Sequence, residues 1–170
     1  MRAVALLPLL ALAGCGGGDG SGGSASCPKG AGELRVADVV EVPQGYELAK
    51  GTTRLDQAQT RFRGLLGDNA LSSEGKVLVE RGKQDGAAVL IFNSRERLDS
   101  DDLLSGAQDG AKGNEAAVKP FTIDGADAVL IDYPDGSFGA AAVVGDCAVG
   151  FLAADTKPLL LRAAQAMVIR

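Results

Sequence analysis

Apolar positions along the chain fall into two periods, and the alternation between them predicts the elements. Leu34 to Val42 alternates weakly and is β-branched, so it reads as a strand ended by Pro43-Gln44-Gly45. Tyr46 to Leu48 reads as a short extended piece. Between Thr53 and Leu66 the period lengthens: Leu55, Ala58, Phe62, Leu65 and Leu66 make one helical stripe, with Thr53 and Asp56 at its start and Gly67 as its stop. Asp68 to Gly75 is polar and reads as a loop. Lys76 to Arg81 and Ala87 to Asn93 read as strands joined by the Gly82–Gly86 turn. Ser100 then caps a second helix with Leu103, Leu104, Ala107 and Ala111 as its stripe. Gly106, Gly110 and Gly113 weaken it by about 1 kcal/mol for each interior glycine, which predicts a short, peripheral and mobile element.

The remainder predicts a meander and a closing helix. Ala117–Ile123 meets Ala126–Tyr133 through Asp124-Gly125, a strong two-residue hairpin signal. Pro134-Asp135-Gly136-Ser137 turns the chain into Phe138–Val144, and Gly145-Asp146 leads into Cys147–Ala153, where Cys147, Val149 and Phe151 share an inward face. A helix begins at Thr156 with Pro158 in its first turn and buries Leu159, Leu160, Ala163, Ala164 and Met167 across the sheet. These elements predict an α+β fold: an antiparallel sheet of about six or seven strands with two or three helices packed on it. The layout resembles the Mog1/PsbP-like domains of some actinobacterial lipoproteins, a likeness of fold that implies no function. Strand, turn, strand and helix recur from Lys76 to Lys112 and from Ser137 to Ile169, which fits either a duplication or a common way of building such a sheet.

The first residues follow another logic. Arg2 precedes a short apolar run, Ala3 to Ala13, broken only by Pro8. The run is far below the roughly 20 residues of a membrane span and has the length of a signal-peptide core. It ends in Leu12-Ala13-Gly14-Cys15, which resembles the lipobox of bacterial lipoproteins. That resemblance covers about the first sixteen residues. It implies that the Cys15 sulfur takes a diacylglycerol, that residues 1–14 are removed, and that the new amino group is acylated, palmitate being a typical chain. Two or more acyl chains hold a protein firmly to a bilayer. The expected location is therefore the extracytoplasmic face of the cell membrane or outer membrane, and the first partner is the membrane itself, through the lipid on Cys15. Gly16 follows the cysteine, so no Asp stands where inner-membrane retention is signalled in some bacteria. Residues 16–26 are nearly all Gly and Ser and read as a tether reaching roughly 18 Å. The division expected is 1–14 signal, 15–26 lipidated Cys and tether, and 27–170 one α+β domain.

Cysteine usage extends this reading. The chain has three Cys. With Cys15 lipidated, Cys27 and Cys147 remain, and outside the cytoplasm an even pair reads as a disulfide. A 120-residue loop closed this way is worth roughly 4–5 kcal/mol in the chain-entropy model.

Composition mainly excludes. His is absent from all 170 residues, which removes Ser-His-Asp and Cys-His catalysis and every His-ligated metal site. Net charge is −5, or −6 once Arg2 is cleaved away, and no dense Lys/Arg cluster suggests nucleic acid. Ser73-Glu74-Gly75-Lys76 has Ser-x-x-Lys spacing but lacks a helix start and the partner motifs. Asp99-Ser100-Asp101-Asp102 starts like a calcium loop, but Leu103 stands at the next ligand position, and a helix cap is simpler. Asp124, Asp127, Asp132 and Asp135 gather around the meander turns, where turn residues are usually solvated. Gly110-Ala111-Lys112-Gly113 lacks the length of a phosphate loop. No catalytic, cofactor-binding or metal residue is therefore assigned, and no cofactor is expected. The functional reading is a lipid-anchored envelope protein that binds a small molecule, a lipid or an envelope protein. A carboxylate- or Lys-dependent hydrolase and a structural envelope lipoprotein are the competing readings.

Overall fold

In the computed structural model, residues 26–27, 33–51, 55–56, 59, 70–112 and 115–169 are described. Cys15, the signal and nearly all of the tether lie outside them, as does most of the Thr53–Leu66 helix, of which Leu55, Asp56 and Gln59 are helical.

The strands are β1 (Tyr46–Lys50), β2 (Ala70–Glu80), β3 (Gly86–Ser94), β4 (Ala117–Ile123), β5 (Ala126–Asp132), β6 (Phe138–Val143) and β7 (Ala148–Ala154). The helices are α1 (Val36–Val39), α2 (Ser100–Lys112) and α3 (Lys157–Ala166). All seven strands form one antiparallel sheet in the order β1-β2-β3-β7-β6-β5-β4. Two meanders thus run toward each other, and their last strands, β3 and β7, pair at the centre, Leu90 opposite Phe151 and Val89 opposite Leu152. This is the α+β architecture expected from the sequence.

Both faces of the sheet are covered. On one, α1 and α3 pack over Leu78, Val89, Ile91, Leu130, Ala140 and Leu152. On the other, α2 and Leu55 pack over Leu90, Phe92, Val129, Ile131, Val149 and Phe151. Strands buried on both sides lose the alternation of a half-solvated sheet, which is why Ala87–Phe92 and Ala148–Ala154 read as nearly continuous apolar runs. The face of β7 that carries Val149 and Phe151 is indeed inward, but α3 covers the opposite one. α2 and α3 therefore lie on opposite faces. A two-fold axis exchanging the antiparallel neighbours β3 and β7 would stand normal to the sheet and keep both helices on one face, so the recurring motif is not a structural repeat.

Close approaches are made where glycine removes a side chain. A Cβ on Gly150 would come within 2.5 Å of Met167 Cε and 2.8 Å of Val144 Cγ2, so the end of α3 settles onto β7 at this residue. Asp124 and Gly125, at φ 51° and 79°, turn β4 into β5 with the left-handed pair that a two-residue hairpin needs. The outer strand β4 carries Lys119 and Pro120, residues that discourage edge-to-edge pairing.

Three expectations are corrected. Leu34–Val42 is not a strand: residues 36–39 are helical and only Val40 pairs, as an isolated bridge to Met167. Asp38 accepts from Arg35 N at 2.8 Å and Glu74 Oε2 from Val36 N at 2.7 Å, and these carboxylates satisfy the donors of a helical turn that β-branched content disfavours. The second correction concerns the polar loop. β2 begins at Ala70, because Ser72, Ser73 and Glu74 pair with Asn93, Phe92 and Ile91 of the buried β3. Finally, α2 extends over 13 residues despite its interior glycines, and its cap is Asp99, whose carboxylate accepts from Asp101 N at 2.8 Å.

Candidate functional site

The disulfide expected from cysteine counting is present: Cys27 is joined to Cys147, with Cα atoms 6.0 Å apart. Both cysteines are partly exposed, at the end of the sheet where β3 finishes and β7 begins. The chain between β3 and α2 passes beside them. Cys27 N donates to Arg95 O at 3.0 Å, and Ser26 bridges Glu96. From the other side, Ser94 N donates to Cys147 O at 2.8 Å and Leu98 N to Asp146 O at 3.0 Å. Arg97 and Asp146 add an exposed ion pair at 3.0 Å, worth little by itself.

Next to this junction sits a polar residue that sequence reasoning passed over. Asn93 is 5% exposed and is the last residue but one of β3. Its Oδ1 accepts from Leu34 N at 3.0 Å, while its Nδ2 donates to Leu34 O at 2.9 Å and to Ser72 Oγ at 3.1 Å. The amide imitates a neighbouring strand and fixes the N-terminal arm to the sheet. The available signal was a lone polar residue ending the apolar run Ala87–Phe92.

The other sequence candidates are dispersed. Ser73 and Lys76 lie three residues apart on an extended strand, so their side chains leave opposite faces. Glu74 serves Val36 N and lies 3.4 Å from Lys76. Asp99 caps α2, and Lys112 is held by Asp109 at 2.7 Å. The four aspartates of the meander divide between the two ends of β5. Asp124 accepts from Ile169 N at 2.9 Å at one end. At the other, Asp132 pairs with Lys119 at 2.6 Å and Asp135 accepts from Ser137 N and Oγ at 2.9 and 2.7 Å. Asp127 and Asp132 are five strand residues, roughly 17 Å, apart. Two carboxylates sharing a scissile bond need to lie within about 10 Å, so no pair forms between Asp127 and Asp132. Among the described residues, no group of three His, Cys, Asp or Glu is arranged to hold a metal ion.

Asp132 and Tyr133 are half-buried polar residues at this end. Asp132 Oδ1 is buried and makes no hydrogen bond within the described residues. Tyr133 lies against Gly139 and Phe151, where a Cβ on Gly139 would meet its ring at 3.2 Å. Burial, with Asp135 adding to it, pushes the Tyr133 hydroxyl from 10.0 up to about 12. The neutral phenol is thus favoured in the fold, and its contribution to stability is complete below pH 10 and is lost as the pH rises from 10 to 12. Two units correspond to about 2–3 kcal/mol. Urea unfolding in that window is expected to show the loss, and Tyr133→Phe to reduce it by about that amount. An unchanged slope in the variant would assign the alkaline loss to other groups.

No family model, curated protein or solved structure matches the chain.

Proposed function

We propose that the chain is a lipid-anchored extracytoplasmic protein of the bacterial envelope that works as a binding or protein-interaction module. The observation that carries this reading is the pairing of Cys27 with Cys147, which uses both cysteines left over from the Leu12-Ala13-Gly14-Cys15 motif and belongs to an oxidising compartment. The disulfide also stands where an anchored tether would have to end. Residue 26 is the last of the Gly/Ser run, and the fold takes hold of the chain at Ser26 and Cys27 through backbone bonds and a covalent bond. A pull on the anchor would reach the paired centre of the sheet rather than peel off the arm. Among the described residues, no helix is long and apolar enough to cross a membrane, so an anchor at Cys15 would supply the attachment that these elements do not.

The partners that the meander carboxylates hold within the fold support binding over hydrolysis. Each of Asp124, Asp132 and Asp135 already holds a partner within the fold. The membrane, through the lipid, and a small molecule, lipid or envelope protein are the partners proposed.

The test is expression of the full chain in a bacterium that processes lipoproteins, with fractionation and intact-mass measurement. The expected result is a membrane-bound chain that starts at Cys15 and carries the added mass of a diacylglycerol and an acyl group. Cys15→Ala is expected to move essentially all of it out of the lipid-modified membrane fraction. A wild-type chain found without lipid mass would overturn the reading.

A further inference from the structure

We propose that the Cys27–Cys147 disulfide is a redox-cleavable clasp that holds α2 in place, so that its reduction lets α2 leave the sheet while the sheet itself persists. The clasp lies at the entrance to α2. The link from Ser94 to Leu98 is fastened to both cysteine-bearing segments, through Arg95 O and Glu96 to residues 26–27, and through Ser94 N and Leu98 N to residues 146–147. α2 starts two residues after Leu98, capped by Asp99. The disulfide ties the segment at residues 26–27 to the start of β7, and once it opens, that segment is left with its backbone contacts to the link. The next described hold on that arm is Leu34, on Asn93.

The elements on either side of the link differ in what secures them. α2 carries Gly106 and Gly110 in its interior, each costing a helix about 1 kcal/mol. Its buried side chains are Leu103, Ala107 and Ala111, with Leu104 half-buried beside them, so much of its inner face is alanine. β3 and β7, by contrast, are paired along six positions and buried on both faces. Local opening is drawn from the weakly packed parts of a fold, which here means α2. The cysteines are partly exposed, as a disulfide open to exchange must be, rather than sealed in the core.

The chemistry requires a dithiol reductant. One of its sulfurs attacks a cystine sulfur, its second sulfur resolves the mixed disulfide, and Cys27 and Cys147 are released as thiols. Two electrons and two protons pass to the protein, and the dithiol leaves as its own disulfide. The inference does not depend on lipid at Cys15.

Amide hydrogen exchange on the full chain, oxidised and after dithiothreitol, tests it. Reduction is expected to speed exchange of the α2 amides from Leu104 to Lys112 by about a hundredfold or more, while those of Ile91 and Leu152 stay strongly protected. The double variant Cys27→Ser with Cys147→Ser is expected to show the reduced pattern without reductant. Unchanged α2 protection in either sample would overturn the clasp, leaving a plain structural disulfide. Joint loss of protection in α2 and the central strands, or a double variant that does not fold, would overturn it equally, because the sheet is required to stand without the bond.

Discussion

Replacing Phe92 with alanine is expected to cost the fold about 3–5 kcal/mol, read as a fall in the urea midpoint at unchanged slope. Phe92 is 1% exposed, near the end of the central strand β3. It lies in the cluster with Leu90, Ile131, Val149 and Phe151, on the face that α2 and Leu55 cover. A ring removed from the middle of three layers leaves a cavity that has little room to collapse, because β3 is fixed on both sides by β2 and β7. Phe92→Leu retains most of the volume and is expected to lose far less, which keeps the comparison measurable if the alanine variant unfolds. Phe121→Ala is the natural contrast: Phe121 is half-buried on the outer strand β4, and its loss should be clearly smaller. Equal losses at Phe92 and Phe121 would mean that the two-sided burial of β3 does not govern stability.

The elements that the sequence showed well are those whose partners are close along the chain. The hairpins β4–β5 and β5–β6 are announced by Asp124-Gly125 and by Pro134 to Ser137, and their strands fall within a residue or two of the expected bounds. α3 is equally legible, since its stripe of Leu160, Ala163, Ala164 and Met167 has one face to bury. What stayed hidden depends on distant partners. Ser72 to Glu74 look like a loop until β3 offers them a ladder. Val36 to Val39 look extended until Glu74, 38 residues later, accepts the first free N–H of the turn. The disulfide was legible by counting, once Cys15 is set aside for the lipid that its motif implies: two thiols are then left and one bond can form. The clamp at Asn93 was not, because a lone polar residue after an apolar run does not say which backbone it will hold until that backbone is placed beside it. The carboxylates stand at the meander turns where the sequence puts them, Asp124 and Asp127 at one end of β5 and Asp132 and Asp135 at the other, a strand length away.

Asn93 gives the second large effect. Asn93→Leu has nearly the same volume but offers no polar group, so Leu34 N, Leu34 O and Ser72 Oγ each lose a partner. The expected cost is about 2–4 kcal/mol, since polar groups left unpaired away from water are penalised by about 1–3 kcal/mol each and Leu34 is only half-buried. The loss should also have a place. Amides of residues 34–38 are expected to exchange faster than in the wild type by more than the global loss explains, because this part of the arm then keeps the Val36 N bond to Glu74 and the packing of Val36, while residues 39–41 stay bonded to the end of α3. If exchange rises uniformly over the sheet, Asn93 acts as ordinary packing. If the variant is as stable as the wild type, water satisfies the arm and the amide is no clamp. A local rise confined to the arm would instead show that the N-terminal segment is fastened by two separate devices, a covalent one at Cys27 and a hydrogen-bonded one at Leu34, so that opening the first need not release the second.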